Sequence, residues 1–322
     1  MTTLSLSQLE EFDPKNKRNR FCCPICGSSK SLESKHRSIW VDKNTGVWFC
    51  HRCESKGLLL EWQKQPNFST SNKQSFNYSY QPKPIDEKKL KQVREEYQGF
   101  TRAFSYSPGQ HYLSSRGIEP ELALASGCGF GYWKHWFKDE KDEYFFIKDK
   151  RVCFPIHNQS NEVVAMSARA ISGDCLEPTH TVRGYKSHGI FSTPGALETQ
   201  TLIIVEAPID ALSLAMAGFP AIATVGTSWP DWLVEIASKK SLILIGFDND
   251  DPGNAASLKL TDQLSNNSAK AKRIIPSLKD WNKILTSYGL DSLKSEVNNS
   301  ISGDYFPIAD DTNSLDCYRL IY

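Results

Sequence analysis

From residue 201 onward the chain alternates short apolar runs with amphipathic ones, and this period constrains the fold more than any other feature. "TLIIVE", "PAIATVG", "LILIGFD" and "KRIIP" have the length and branching of buried strands. Between them "PIDALSLAMAG", "WPDWLVEIAS" and "GNAASLKLTDQLS" place apolar residues at helical spacing. Strands that are apolar throughout need cover on both faces, so the pattern predicts βαβ units around a parallel sheet and an α/β fold class.

In such a sheet, ligands bind beyond the carboxyl ends of the strands. Glu206 ends one strand and Asp248 another, and Asp250 follows one step later. Carboxylates gathered at one edge repel each other unless a cation sits among them. Oxygen-only donors at this density suit magnesium or manganese, which keep several waters and bridge to phosphates. Asp251, ahead of "PGNAAS", reads instead as the cap of the next helix.

The front of the chain is built differently. Two Cys-x-x-Cys pairs, Cys23/Cys26 and Cys50/Cys53, can direct four thiolates at one structural zinc ion. Cys22 and His51 are the alternative ligands. "SIWV" and "VWFC" read as strands joined by the turn "DKNTG", a hairpin too small to fold without the metal. Lys35, Arg37 and Arg52 around Trp40 and Trp48 make this ribbon, residues 15–62, a candidate surface for single-stranded nucleic acid. Packing of the hairpin is the competing role for the tryptophans. Residues 63–84 are rich in Ser, Asn and Gln and carry no acid, as a flexible linker would.

Residues 85–200 read as a helical stretch followed by strands, with "NQSN" as the turn of a hairpin inside "RVCFPIHNQSNEVVAMSARAI". Residues 302–322 show no period and read as a tail. The net charge of +1 hides an asymmetry: residues 1–100 carry 17 Lys and Arg against 11 Asp and Glu, and residues 201–322 carry 10 against 15. A basic front and an acidic back suit a chain that holds a polyanion with one part and a divalent cation with another. The N-terminus lacks the apolar core of a secretory signal. The most apolar window is interrupted by Glu206 and Asp210, which excludes a helical membrane span there. Nine cysteines in that context read as reduced thiols or metal ligands, and a cytoplasmic location is expected.

"LIIVEAPIDALSLAMAGFPAIATVGTS" followed by "LILIGFDNDDPGNAAS" resembles the TOPRIM domain shared by DnaG-type primases, topoisomerases and some nucleases. The resemblance implies Glu206, Asp248 and Asp250 as catalytic, metal-binding carboxylates, with Asp210 as a further acid. "SLKDWNKIL" resembles a primase motif that adds Asp280 and, more weakly, Asn282. "YLSSRGI", the basic strands and "YKSHGIFSTP" resemble the primase basic subdomain, and the four-Cys ribbon is closer to that of phage helicase–primases than to the Cys/His ribbon of cellular DnaG. The implied order is ribbon, linker, basic subdomain (85–200) and TOPRIM (201–301). Two departures stand out: Ala207 replaces a usual glycine, and a lysine common before the first TOPRIM strand is missing.

The function this implies is a primase that makes short oligonucleotides de novo on single-stranded DNA from nucleoside triphosphates. Two divalent ions would be held by the carboxylates, and a separate helicase would unwind the duplex. Arg169, Arg183 and Lys186 are the candidate cations for template or triphosphate; Arg116 is either structural or functional. Two other readings compete, a TOPRIM nuclease or topoisomerase and a non-catalytic adaptor that binds single-stranded DNA and recruits a helicase.

Overall fold

The computed structural model describes residues 4–12, 20–25, 37–42, 46–50, 55–63, 84–138, 143–171 and 180–302. The expected linker and tail lie almost wholly outside these residues, as do Cys26, Lys35, His51, Arg52 and Cys53. The chain divides into two compact units, Met1–Gln81 and Pro82–Tyr322.

The first unit contains α1 (Leu6–Phe12), β1 (Arg20–Phe21), β2 (Ile39–Val41), β3 (Val47–Cys50), β4 (Lys56–Leu58) and α2 (Leu60–Gln63). The strands form one antiparallel sheet in chain order. Alternation splits the sheet into two faces. Ile39, Val41, Trp48 and Cys50 point into a small core with Leu9, Phe21, Cys23 and Leu59. Trp48 stands opposite Gly57, where an added Cβ would lie 3.0 Å from the indole nitrogen, so the ring lies flat over bare backbone.

The second unit opens with three helices: α3 (Glu87–Arg102), α4 (Pro108–Ser115) and α5 (Pro120–Ala125). Asp86 caps α3 by accepting from the backbone N–H groups of Lys88 and Lys89, at 3.0 and 3.3 Å. Next comes an antiparallel sheet of β5 (Gly129–Lys138), β6 (Tyr144–His157), β7 (Val163–Ala170) and β8 (His180–Gly184), paired in chain order. Tyr97 and Phe100, one turn apart on α3, cover one face of it with Trp133, Cys153, Met166 and Ala168. The other face joins the main core through Phe130, Val152 and Phe154.

The rest is β9 (Phe191–Ser192), β10 (Thr201–Val205), α6 (Pro208–Met216), β11 (Ala221–Ala223), α7 (Asp231–Ala237), β12 (Leu242–Ile245), α8 (Asp251–Ser265), β13 (Ala271–Arg273), α9 (Trp281–Tyr288) and α10 (Leu290–Ser302). Strand order is β13-β12-β10-β11-β9, parallel except for the edge strand β9. The expected α/β architecture is present, with an antiparallel edge added by residues before 201. Ile203, Val205 and Leu244 face the core that holds α6 and α9. Leu202, Ile204, Ile243 and Ile245 face the core that holds α7 and α8. Both faces are covered, which is why these strands carry no polar alternation. No described helix is long and apolar enough to cross a membrane.

Candidate active site

β10 and β12 are hydrogen-bonded neighbours, yet the chain leaves them in opposite directions: from β10 through α6 to β11, and from β12 through α8 to β13. The crevice between two such strand ends is where open parallel sheets bind ligands. Glu206 follows β10, and Asp248 stands three residues beyond β12. The sheet order thus delivers both carboxylates to the same crevice.

Each acid is held by local chemistry. Asp250 is the N-cap of α8 and accepts from the Gly253 backbone N–H at 2.8 Å. This corrects the sequence expectation, which gave the cap to Asp251; that residue is the first inside the helix. Asp250 is extended, with φ of −139° and ψ of 170°, and Pro252 lies in the first turn, where its missing N–H costs no intrahelical bond. Gly253 is obligatory here, since a Cβ would sit 2.3 Å from the Asp248 carbonyl oxygen. Asp280 caps α9 by accepting from the Lys283 N–H at 2.7 Å. Asp210, on the first turn of α6, is buried and accepts from the Asn282 N–H at 2.9 Å. The Asn282 amide in turn donates to the Arg116 carbonyl and to Ser213 Oγ, at 2.8 and 2.9 Å.

The loop after β12 is bracketed by Arg273, which the sequence reading passed over. Its guanidinium donates to the carbonyls of Ile245 and Phe247, to that of Asp248 at 3.1 Å and to Asn254 Oδ1. The loop after β11 contributes strain: Val225 has φ of 56°, costly for a β-branched residue. Thr224 and Gly226 hold that loop against the backbone of Val205 and Glu206.

The electrostatics follow from burial and crowding. Burial, then the charges of Asp248 and Asp250, push Glu206 up to about 7, and Lys186 opposes the rise. Burial, then Asp280 and Asp250, push Asp248 up to about 6, with Lys279 and Arg273 opposing. Asp210 lies well above the usual carboxylate range because it is buried and faces Asp280 and Asp248. Asp248 Oδ1 is buried with no hydrogen-bond partner in the structure. An orphaned carboxylate oxygen among acids that disfavour each other's ionisation fits a hard cation, and the donor set is all oxygen. Among the described residues, no three His, Cys, Asp or Glu side chains stand close enough together to hold a metal ion as they are.

The three expected cations separate. Lys186 is half-buried; desolvation lowers its pKa, Glu206 opposes that shift, and its Nζ contacts Ser228 Oγ at 3.3 Å. Arg169 on β7 donates to the Tyr112 hydroxyl at 3.0 Å. Arg183 lies on the opposite face of the sheet, because it pairs with Met166 whereas Arg169 pairs with Val152. There it bonds Glu96 and the Lys134 carbonyl and lies 3.8 Å over the Trp133 ring. Arg183 is therefore engaged in joining α3 to the sheet, which its position in the sequence could not reveal.

In the first unit Cys23 and Cys50 are fully buried in one core, and the Cys50 thiol donates to Ser38 Oγ at 3.3 Å. The described cysteines are not in disulfides. Trp48, expected on a nucleic-acid surface, is in that core at 1% exposure, and this is a correction. Trp40 is on the other face, where pairing aligns Arg20, Trp40, Phe49 and Lys56 in one row across the sheet. Strand alternation through "VWFC" was the available signal for exchanging Trp48 for Phe49. Arg37 is half-buried beside β2.

Residues 203–285 match the Toprim-like family model. No curated protein matches the sequence. Among solved structures, the fold is similar to a DnaG primase catalytic domain bound to single-stranded DNA, with TM-score 0.55, 16% identity, and coverage of 66% of this chain and 81% of that one. It is similar to the zinc-binding and RNA polymerase domains of the Aquifex aeolicus primase, with TM-score 0.53, 18% identity, and coverage of 87% and 78%. The RNA polymerase domain of Mycobacterium tuberculosis DnaG gives TM-score 0.52, 19% identity, and coverage of 66% and 84%. The chain thus has the fold of a DnaG-type primase core, with a Toprim-like match over residues 203–285.

Proposed function

We propose that this protein is a DNA primase that makes short oligonucleotides de novo on single-stranded DNA by nucleotidyl transfer. The observation that carries the reading is the pair Glu206 and Asp248 at adjacent strand ends of the sheet's crevice, joined there by Asp250 and backed by Asp210 and Asp280. These carboxylates would hold magnesium or manganese. Such ions, when bound, neutralise triphosphate charge and activate an attacking 3′-hydroxyl. The chain's own residues do the positioning. Arg273 sets the loop that presents Asp248, Asn282 ties Asp210 to α9, and Lys186 offers a cation beside Glu206 for a triphosphate oxygen. Arg169 is the remaining candidate for the template backbone.

The ribbon would hold one zinc ion through Cys23, Cys26, Cys50 and Cys53 and read template with the row Arg20, Trp40, Phe49 and Lys56, together with Lys35, Arg37 and Arg52. A separate helicase as partner and a cytoplasmic location belong to the same reading. The test is incubation with single-stranded DNA, all nucleoside triphosphates and magnesium or manganese. New oligonucleotides that disappear in Asp248→Asn support the primase. Cleavage of the template would instead establish a nuclease, and neither product a non-catalytic adaptor.

A further inference from the structure

The hairpin of β5 and β6 extends past the part of the sheet that α3 and α4 cover, and its composition is unusual. "YWKHWFK" on one strand and "YFFIKDKR" on the other interleave aromatics with cations. Four acids at residues 139–143 dilute the charge along the chain, but within the strands Asp149 is the one acid. Cross-strand partners share a face, and the register pairs Tyr132 with Lys150, Lys134 with Lys148, and Trp136 with Phe146. Tyr144 shares their alternation. Tyr132, Trp136, Tyr144 and Phe146 are 52%, 60%, 69% and 44% exposed, and Lys134, Lys148 and Lys150 are exposed beside them.

The acid of the two strands is on the other face. Asp149 is buried there, bound by Arg151 through Nε and Nη2 at 2.8 and 2.7 Å and by His135 at 3.0 Å. Burial alone would raise its carboxyl, but the hydrogen bonds and charges of Arg151 and His135 hold it below the usual range. Within the paired strands the outward face therefore presents cations and aromatic rings and no acid; exposed Glu143 precedes β6. Its rings are ordered by contact: Trp136 meets Phe146 edge to face at 5.1 Å, and Lys134 and Lys148 lie 5.1 and 5.3 Å from the Phe146 centroid. Tyr132 and Trp136, four residues apart on one strand, are separated by about 13 Å with Lys134 between them. The same face continues to Arg169 through Val152.

We infer that this face of the β5–β6 arm is a stacking platform for single-stranded nucleic acid, additional to the acidic crevice. A chain of bases and phosphates is the polymer whose π faces and negative charges match alternating rings and lysines. A protein partner or a second copy would need apolar area without three clustered lysines. The inference extends the primase reading by giving its template a second contact, but binding by the arm needs no synthesis, so the two can fail separately.

The test measures binding of a labelled oligodeoxythymidine by the full chain in EDTA, by anisotropy across a salt series. Trp136→Ala/Phe146→Ala should weaken binding by about tenfold or more. Lys134→Ala/Lys148→Ala should flatten the salt slope by about 1.4, two phosphates at ~0.7 each. All four side chains are exposed, so circular dichroism should be unchanged. Unaltered affinity and slope in both variants would overturn the inference, and normal oligonucleotide synthesis by them would leave the primase reading standing. Loss of self-association in sedimentation with unaltered DNA binding would also overturn it, making the arm an interface between copies. A wild-type chain that binds through the arm yet makes no product would sink the primase reading alone.

Discussion

Asp248→Asn removes one negative charge from the metal-free crevice while keeping the side chain's shape. Arg273 holds this residue through its backbone carbonyl, so the loop should stay in place. Burial, Asp280 and Asp250 raise the Asp248 carboxyl from 3.8 to about 6. A raised carboxylate means that the folded chain keeps a proton the unfolded chain has released. Its contribution to stability is therefore complete below about pH 4, is lost between about pH 4 and 6, and stays lost above that. The gap between the two values corresponds to roughly 3 kcal/mol at full strength. The side chain is partly open to solvent, and screening reduces the cost to about 1–2 kcal/mol. In EDTA at pH 8 the variant should be more stable than wild type by that amount, or about 2–8 °C in Tm for a unit of this size. The advantage should shrink as pH falls from 6 towards 4, while synthesis with metal is abolished throughout. Thermal melts of both proteins across this range decide the matter. A variant less stable at pH 8, or a gain that ignores pH, would refute the argument that repelling, buried carboxylates await a cation.

Magnesium or manganese should raise the wild-type Tm and do so less in Asp248→Asn and Asp250→Asn; an equal rise in all three would remove these residues from the metal site. Asn282→Ala should cost about 2–3 kcal/mol in urea unfolding, because it leaves the Arg116 carbonyl and Ser213 without their donor. A loss under 0.5 kcal/mol, the usual range of surface changes, would show that water replaces the amide. Metal analysis should return about one zinc per chain, with less in Cys50→Ser; full zinc in Cys23→Ser and loss in Cys22→Ser would reassign the first ligand. A chain beginning at residue 84 retains every described element of the second unit and should extend an annealed primer weakly without sequence-selective initiation. Undiminished selective initiation would place template reading outside the ribbon.

The alternation of apolar strands and amphipathic helices after residue 201 was sufficient for the parallel sheet, because period and burial are local consequences of residue order. The carboxylates at the strand ends were legible for the same reason: Glu206 and Asp248 stand where apolar runs stop. Their meeting was not. It depends on β12 crossing to the far side of β10, which places two residues 42 positions apart in one crevice. The exchange of Asp251 for Asp250 as cap turned on a single backbone torsion, finer than any residue preference. Trp48 and Arg183 differ. Trp48 shares the parity of Cys50 in "VWFC", a signal that residue order carried, but an arginine on a strand looks alike whether it faces solvent or core, and only strand register sends Arg183 to Glu96. The two strands of the β5–β6 arm carry five Lys and Arg against one acid, and the pleat, by turning alternate residues to opposite sides, separates Lys134, Lys148, Lys150 and the exposed rings from Asp149. Residue order decides what each strand buries; pairing decides which distant residues share a face, because side-chain direction has a period of two and the choice of partner strand does not.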